Sequence, residues 1–120
     1  MRLPTLSLLL LSPLAHLAAA DYLMVHAVCT ATSCNYLDGR WHSAFGAHFV
    51  DPRGGCHDPP YVPGMTELCM DWPYGRGHFY FTGQAKRCLR IQSVSVDPSC
   101  GPSSQIRCDD YRWDEVACTW

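Results

Sequence analysis

Residues 75–88 read GRGHFYFTGQAKRC, and their reading decides the fold. His78, Phe79, Tyr80 and Phe81 are four large side chains in a row, with glycines on both sides and a Lys86-Arg87 pair leading into Cys88. Aromatic runs of this kind favour extended backbone. On a strand over 77–82, Phe79 and Phe81 point one way while His78, Tyr80 and Thr82 point the other. Gly83 lets the chain reverse. A return strand over 86–96 then carries Leu89 and Ile91 on alternate positions. The stretch is therefore a predicted hairpin with Phe79 and Phe81 in the core. Its other face carries His78, Tyr80, Lys86 or Arg87, and Arg90 as a candidate binding patch.

The same alternation extends in both directions. Residues 21–32, DYLMVHAVCTAT, place Leu23, Val25, Ala27 and Cys29 on one face. Residues 111–120 form another predicted strand, with Tyr111, Trp113, Val116 and Cys118 buried. Two segments fit helical spacing instead. Trp41, Phe45 and Phe49 recur every four residues, which predicts a short helix over 40–47. Met65, Leu68, Cys69 and Trp72 predict a second, opened by Pro63 and ended by Pro73. Between them, DPRGGCHDPPYVPG (51–64) holds four prolines and three glycines and reads as a loop pinned by Cys56. Residues 97–102, DPSCGP, read as a loop pinned by Cys100. The expected fold class is α+β: a small disulfide-rich domain dominated by antiparallel β-strands, with one or two short helices.

The N-terminus has the layout of an export signal. Met1-Arg2 is positive, 6–17 is apolar apart from Ser7, Ser12, Pro13 and His16, and Ala18-Ala19-Ala20 offers small residues for cleavage. The expectation is a removed signal peptide over 1–20 and a single disulfide-stapled secreted domain over 21–120. The apolar run is too short to cross a bilayer, and no second one follows, so no membrane span is expected. The eight cysteines all lie after residue 20: Cys29, Cys34, Cys56, Cys69, Cys88, Cys100, Cys108 and Cys118. An even number at this density in an exported domain predicts a disulfide framework whose pairing the order of residues leaves open. Without Arg2, eight bases face eleven acids. That balance disfavours nucleic acid as a partner, which wants a basic surface. Arg76, Lys86, Arg87 and Arg90 cluster mid-chain, and Asp109, Asp110, Asp114 and Glu115 near the end, as groups that face each other or water. The only asparagine, Asn35, is followed by Tyr36-Leu37, so there is no N-glycosylation sequon.

The leader, the eight cysteines, and the segments CMDWPYGRGHFYFTGQAKRCLRI (69–91) and WDEVACTW (113–120) resemble the small secreted cysteine-rich proteins of filamentous fungi. That class includes candidate effectors and killer-toxin-like α/β sandwiches. The resemblance is one of organisation. It implies a protein deployed outside the producing cell at a host interface. No adjacent Cys-Cys pair of the hydrophobin kind occurs, nor the Cys-x-Cys step of the eight-cysteine domain linked to haem and iron capture.

The chemistry-bearing residues form no specific motif. His42, His48, His57 and His78 lack metal-ligand spacing, and oxidised cysteines offer no thiolates, so no metal and no cofactor are expected. There is no Gly-x-Ser-x-Gly elbow. Asp109-Asp110 and Asp114-Glu115 are adjacent pairs that point to opposite faces of a strand, unlike a glycosidase pair. Glu67, His78, Arg76 and Arg90 are the residue types of a small secreted ribonuclease, without distinctive spacing. The reading is a monomeric, non-catalytic interaction protein whose partner is a host protein or surface glycan. The alternative is a small secreted hydrolase such as a ribonuclease, and no catalytic residue is assigned.

Overall fold

Every strand among the described residues lies in one antiparallel sheet. The computed structural model describes residues 21–98, 100 and 106–120; the expected signal peptide over 1–20 lies outside them. The strands are β1 (Tyr22–Cys29), β2 (Cys34–Ser43), β3 (Gly46–Val50), β4 (Gly55–His57), β5 (Met65–Asp71), β6 (Arg76–Phe81), β7 (Arg87–Asp97) and β8 (Arg107–Val116). Their order in the sheet is β3-β2-β1-β8-β7-β6-β5-β4. Each neighbour in space is a neighbour in sequence, except that β8 closes back on β1, with Leu23 opposite Trp113. This is the strand order of an up-and-down barrel left open between β3 and β4.

The sheet is strongly curled. In a flat sheet β2 and β6, four strands apart, would be separated by about 19 Å at 4.8 Å per strand. Yet the rings of Trp41 on β2 and Phe79 on β6 meet edge to face with centroids 4.7 Å apart. The cause is visible in the ladders. Register slips insert an extra residue at Leu37 in β2, Thr66 in β5 and Gln92 in β7, and such bulges bend a strand and increase its twist. The concave face closes over Leu23, Trp41, Leu68, Phe79, Leu89 and Trp113, each with no exposed surface. The short link 51–54 joins the two edge strands, and its Pro52 is buried among the core side chains.

The expected α+β class is corrected to an almost entirely β architecture. The predicted helix over 40–47 is the β2–β3 hairpin, with Trp41 opposite His48 and Phe45 at its exposed tip. The four-residue spacing runs across the turn: Phe49 lies on β3 opposite Arg40, so it does not share the face of Trp41. The predicted helix around 65–72 is mostly β5. The bulge at Thr66 puts Met65, Leu68 and Met70 on one buried face, and so imitates the three-residue step of a helix. The only helix among the described residues is one 3₁₀ turn, Trp72–Tyr74. It ends at Gly75, whose φ of 60° a side chain would resist. Gly77 is required for a different reason: a Cβ there would lie 2.8 Å from the Cys69 carbonyl oxygen.

The disulfides follow the sheet. Cys29–Cys34 and Cys56–Cys69 join residues that face each other across the β1–β2 and β4–β5 ladders. Cys88–Cys118 ties β7 to the segment after β8, and Cys100–Cys108 anchors the β7–β8 connection. Phe79→Ala is expected to lower unfolding stability by about 3–5 kcal/mol through the cavity it leaves. Phe45→Ser, at a side chain 91% exposed, should change it by no more than about 0.5 kcal/mol. Urea unfolding of the oxidised protein measures both.

Candidate functional site

The outward face of β6 and β7 holds most of the sequence-predicted patch. His78 and Tyr80 alternate with the buried Phe79 and contact each other edge to face at 5.8 Å. Arg90 lies opposite Arg76 in the ladder, an unfavourable like-charge pairing. The Trp120 indole relieves it: Arg90 lies 4.7 Å and Arg76 5.7 Å from its ring. Lys86 Nζ donates to a main-chain oxygen of Trp120, and Cys118 is bonded to Cys88 beneath. The chain around Trp120 thus lies across the predicted patch and engages two of its cations. Arg76 also donates to Asp71 at 3.1 Å.

Arg87, the alternative to Lys86, belongs to the opposite face. It stands beside Phe79 and Phe81, at 4.9 and 5.4 Å from their rings. Its guanidinium makes a two-pronged contact with Glu115, both distances 2.8 Å. That carboxylate holds the Arg87 charge firmly on, raising its pKa above the usual value. The mid-chain bases and C-terminal acids do meet here, as they do in the register pair Arg90 and Asp114.

The ribonuclease-type residues share the outward face. Glu67 Oε lies within 4.8 Å of a His78 ring nitrogen, with Arg76 on the same strand as His78 and Arg90 opposite Arg76 on β7. Burial pushes the His78 pKa down and the Lys86 ammonium adds to this, with Glu67 opposing. As metal ligands the same group is poor: the sulfurs of Cys56 and Cys69 beside it are bonded to each other. A second grouping, His26, Asp97 and Asp110, is already hydrogen-bonded within itself, His26 Nδ1 to Asp110 at 2.7 Å.

A more developed site lies elsewhere. At one end of the barrel the start of β1, the β2–β3 turn, the approach to β5 and the β6–β7 turn enclose an open cavity of about 800 Å³. Its wall is mainly apolar, from Trp41, Phe45, Val62, Pro63 and Phe81. Three of its lining residues, Asp21, Trp41 and His48, carry polar groups. Trp41 has no exposed surface, and its Nε1–H has no hydrogen-bond partner. The indole also helps to keep the Asp21 carboxyl ionised. His48 Nδ1 is likewise buried and unpartnered. Burial raises the Asp21 pKa, against the opposing pull of Arg87 and Trp41. The opposite end of the barrel is filled: Trp72 stacks on Tyr36 at 3.6 Å, meets Trp113 edge to face, and donates Nε1–H to Pro52 O at 2.8 Å.

Sequence reasoning missed this cavity because its walls come from four separate chain segments. The available signal was Trp41, a large aromatic with an N–H that a β-core leaves hard to satisfy.

The depressed His78 pKa has a stability consequence. The unfolded chain, whose histidine titrates near 6.5, takes up that proton more readily than the folded protein. The His78 contribution to stability is therefore lost as pH falls through about 6.5. Between pH 7.5 and 5, His78→Gln should lose less stability in urea titrations than the parent protein; an equal loss would contradict this. No protein-family model, curated protein or solved structure matches the chain, so its site is read from its own geometry.

Proposed function

We propose that the protein is a secreted binding protein of the small cysteine-rich class, acting outside the producing cell, and that its recognition site is the open barrel end. The observation that carries this reading is the cavity of about 800 Å³ with its mainly apolar wall and a few polar lining residues, Asp21, Ser43, Gln84 and Arg87 among them, the usual makeup of a small-molecule site. Four disulfides in a small domain fit the class and the oxidising compartment. An effector-like role at a host interface is consistent with the resemblance of segments 69–91 and 113–120. A host protein or glycan docking on the outward patch is the weaker form of the binding reading, because Trp120 already engages Arg90 and Lys86.

The test uses the neutral polarity-sensitive dye N-phenyl-1-naphthylamine. The oxidised protein should give saturable, blue-shifted emission at about one dye per chain. Ala44→Arg, which puts a long charged side chain at the exposed mouth, should weaken binding about tenfold or more. Linear, unsaturable emission, or binding indifferent to Ala44→Arg, would contradict the proposal.

A second reading is favoured by one arrangement, the closeness of Glu67 to His78 with Arg90 on the same face. It predicts cleavage of single-stranded RNA that His78→Ala abolishes. Intact RNA after prolonged incubation would dismiss it.

A further inference from the structure

Three segments form one side of the open barrel end, and none holds a charged residue. They are Ala44-Phe45-Gly46-Ala47 where β2 passes into β3, Tyr61-Val62-Pro63-Gly64 before β5, and Thr82-Gly83-Gln84-Ala85 between β6 and β7. The exposed lining residues of the cavity, Ala44, Phe45, Pro63 and Gln84, all come from these segments. Its ionisable lining residues, Asp21, His48 and Arg87, are partly buried, and Arg87 is paired with Glu115. Once residues 1–20 are removed, Asp21 carries an α-ammonium beside its carboxylate and adds no net charge.

Hydrogen bonds and ring contacts hold this rim in shape. Gly64 O accepts from the Thr82 N–H at 2.8 Å and from the Thr82 hydroxyl at 3.3 Å, which ties the second segment to the third. Tyr61 meets Phe49 of β3 edge to face at 6.2 Å across the open seam. Phe45 N–H donates to Ser43 Oγ at 3.1 Å, which fixes the turn with the Phe45 ring outside, 91% exposed. Keeping a phenyl ring in water is unfavourable. Phe49 and Tyr61 beside this turn are exposed as well. Apolar surface gathered in this way at one end of a molecule marks a docking surface.

The shape of that surface selects its partner. It is a rim around an opening of about 800 Å³, not a packed patch. A folded protein set against it would leave that volume unfilled beneath the interface. A fluid lipid surface conforms to the rim and fills the opening with its own acyl chains. The lack of charge points the same way. The rim offers no cations to anionic headgroups and has no ions to desolvate on entry. Aromatic side chains, Tyr among them, settle at the boundary between headgroups and acyl chains. Going beyond the reading of the barrel end as a small-molecule site, we infer that this end docks on a zwitterionic lipid surface, with Phe45 as the inserted side chain and Phe49 and Tyr61 at the headgroup boundary.

Flotation of the oxidised protein with phosphatidylcholine vesicles tests this. The protein should bind equally at about 50 and about 500 mM salt, because no attraction between ions is involved. Phe45→Ser should weaken vesicle binding about tenfold or more, and Tyr61→Ser should weaken it too. Tyr74→Ser, which removes an exposed aromatic in the turn after Trp72, should leave it unchanged. Urea unfolding shows that each variant is folded. No binding to phosphatidylcholine, binding that needs anionic lipid and fades with salt, or equal binding by Phe45→Ser would each overturn the inference. So would a chain that sediments as a dimer without lipid and as a monomer with Phe45→Ser, which gives the rim to a second copy. Uptake of N-phenyl-1-naphthylamine without vesicle binding removes the docking and leaves the cavity reading standing; vesicle binding without dye uptake does the reverse.

Discussion

The fold depends on a contact between strands that no ladder joins. Trp41 on β2 and Phe79 on β6 touch across the concave face, although three strands lie between them in the sheet. A single eight-stranded sheet of this size has one apolar face and no second layer to bury it against. Curling until the face meets itself is the solution available to a chain this short, and the bulges at Leu37, Thr66 and Gln92 supply the bend. Once the sheet is curled, the rest follows. Trp72 plugs one end, Pro52 lies over the seam, and the other end is left as a cavity with a mainly apolar wall.

The disulfides hold what a small core leaves loose. Cys29–Cys34 closes only five residues of sequence and Cys56–Cys69 thirteen; the first pins register at the end of the β1–β2 ladder and the second at the centre of the short β4–β5 ladder. Cys88–Cys118, with a separation of 30, closes the longest loop and removes the most freedom from the unfolded chain in the loop-entropy picture. It also lays the chain around Trp120 over Arg76 and Arg90, which turns an unfavourable pair of like charges into a stacked one. Two charges turned toward the concave side have partners. Arg87 is matched by Glu115, and the buried Asp109 by Arg107 at 2.8 Å.

The sheet was largely legible in the sequence, and the helices were misread for definite reasons. Strict alternation in 22–29 and 76–81 gave strands with the correct faces, because neither segment carries a bulge within it. The β2–β3 hairpin was hidden because its turn, Ser43-Ala44-Phe45-Gly46, lacks the Asn-Gly or Asp-Gly signal and its aromatics fall by coincidence at helical spacing across that turn. Strand β5 was hidden by Thr66, whose extra residue shifts the buried positions from a step of two to a step of three. The outward patch was legible as far as alternation goes, so His78, Tyr80 and Arg90 do share a face. That Trp120 covers part of it is a long-range fact which no local pattern carries. The cavity was illegible for the same reason, since Asp21, Trp41, Val62, Phe81 and Arg87 meet only after the sheet has closed.

The closure itself is open to a direct measurement. In a nuclear Overhauser experiment on the oxidised protein, the Trp41 indole protons and the Phe79 ring protons should give strong cross-peaks, as their centroid separation of 4.7 Å requires. A flat or differently paired sheet would hold the two rings about 19 Å apart and give no cross-peak. Its absence in a folded, fully assigned spectrum would contradict the curled sheet, and with it the cavity at its open end.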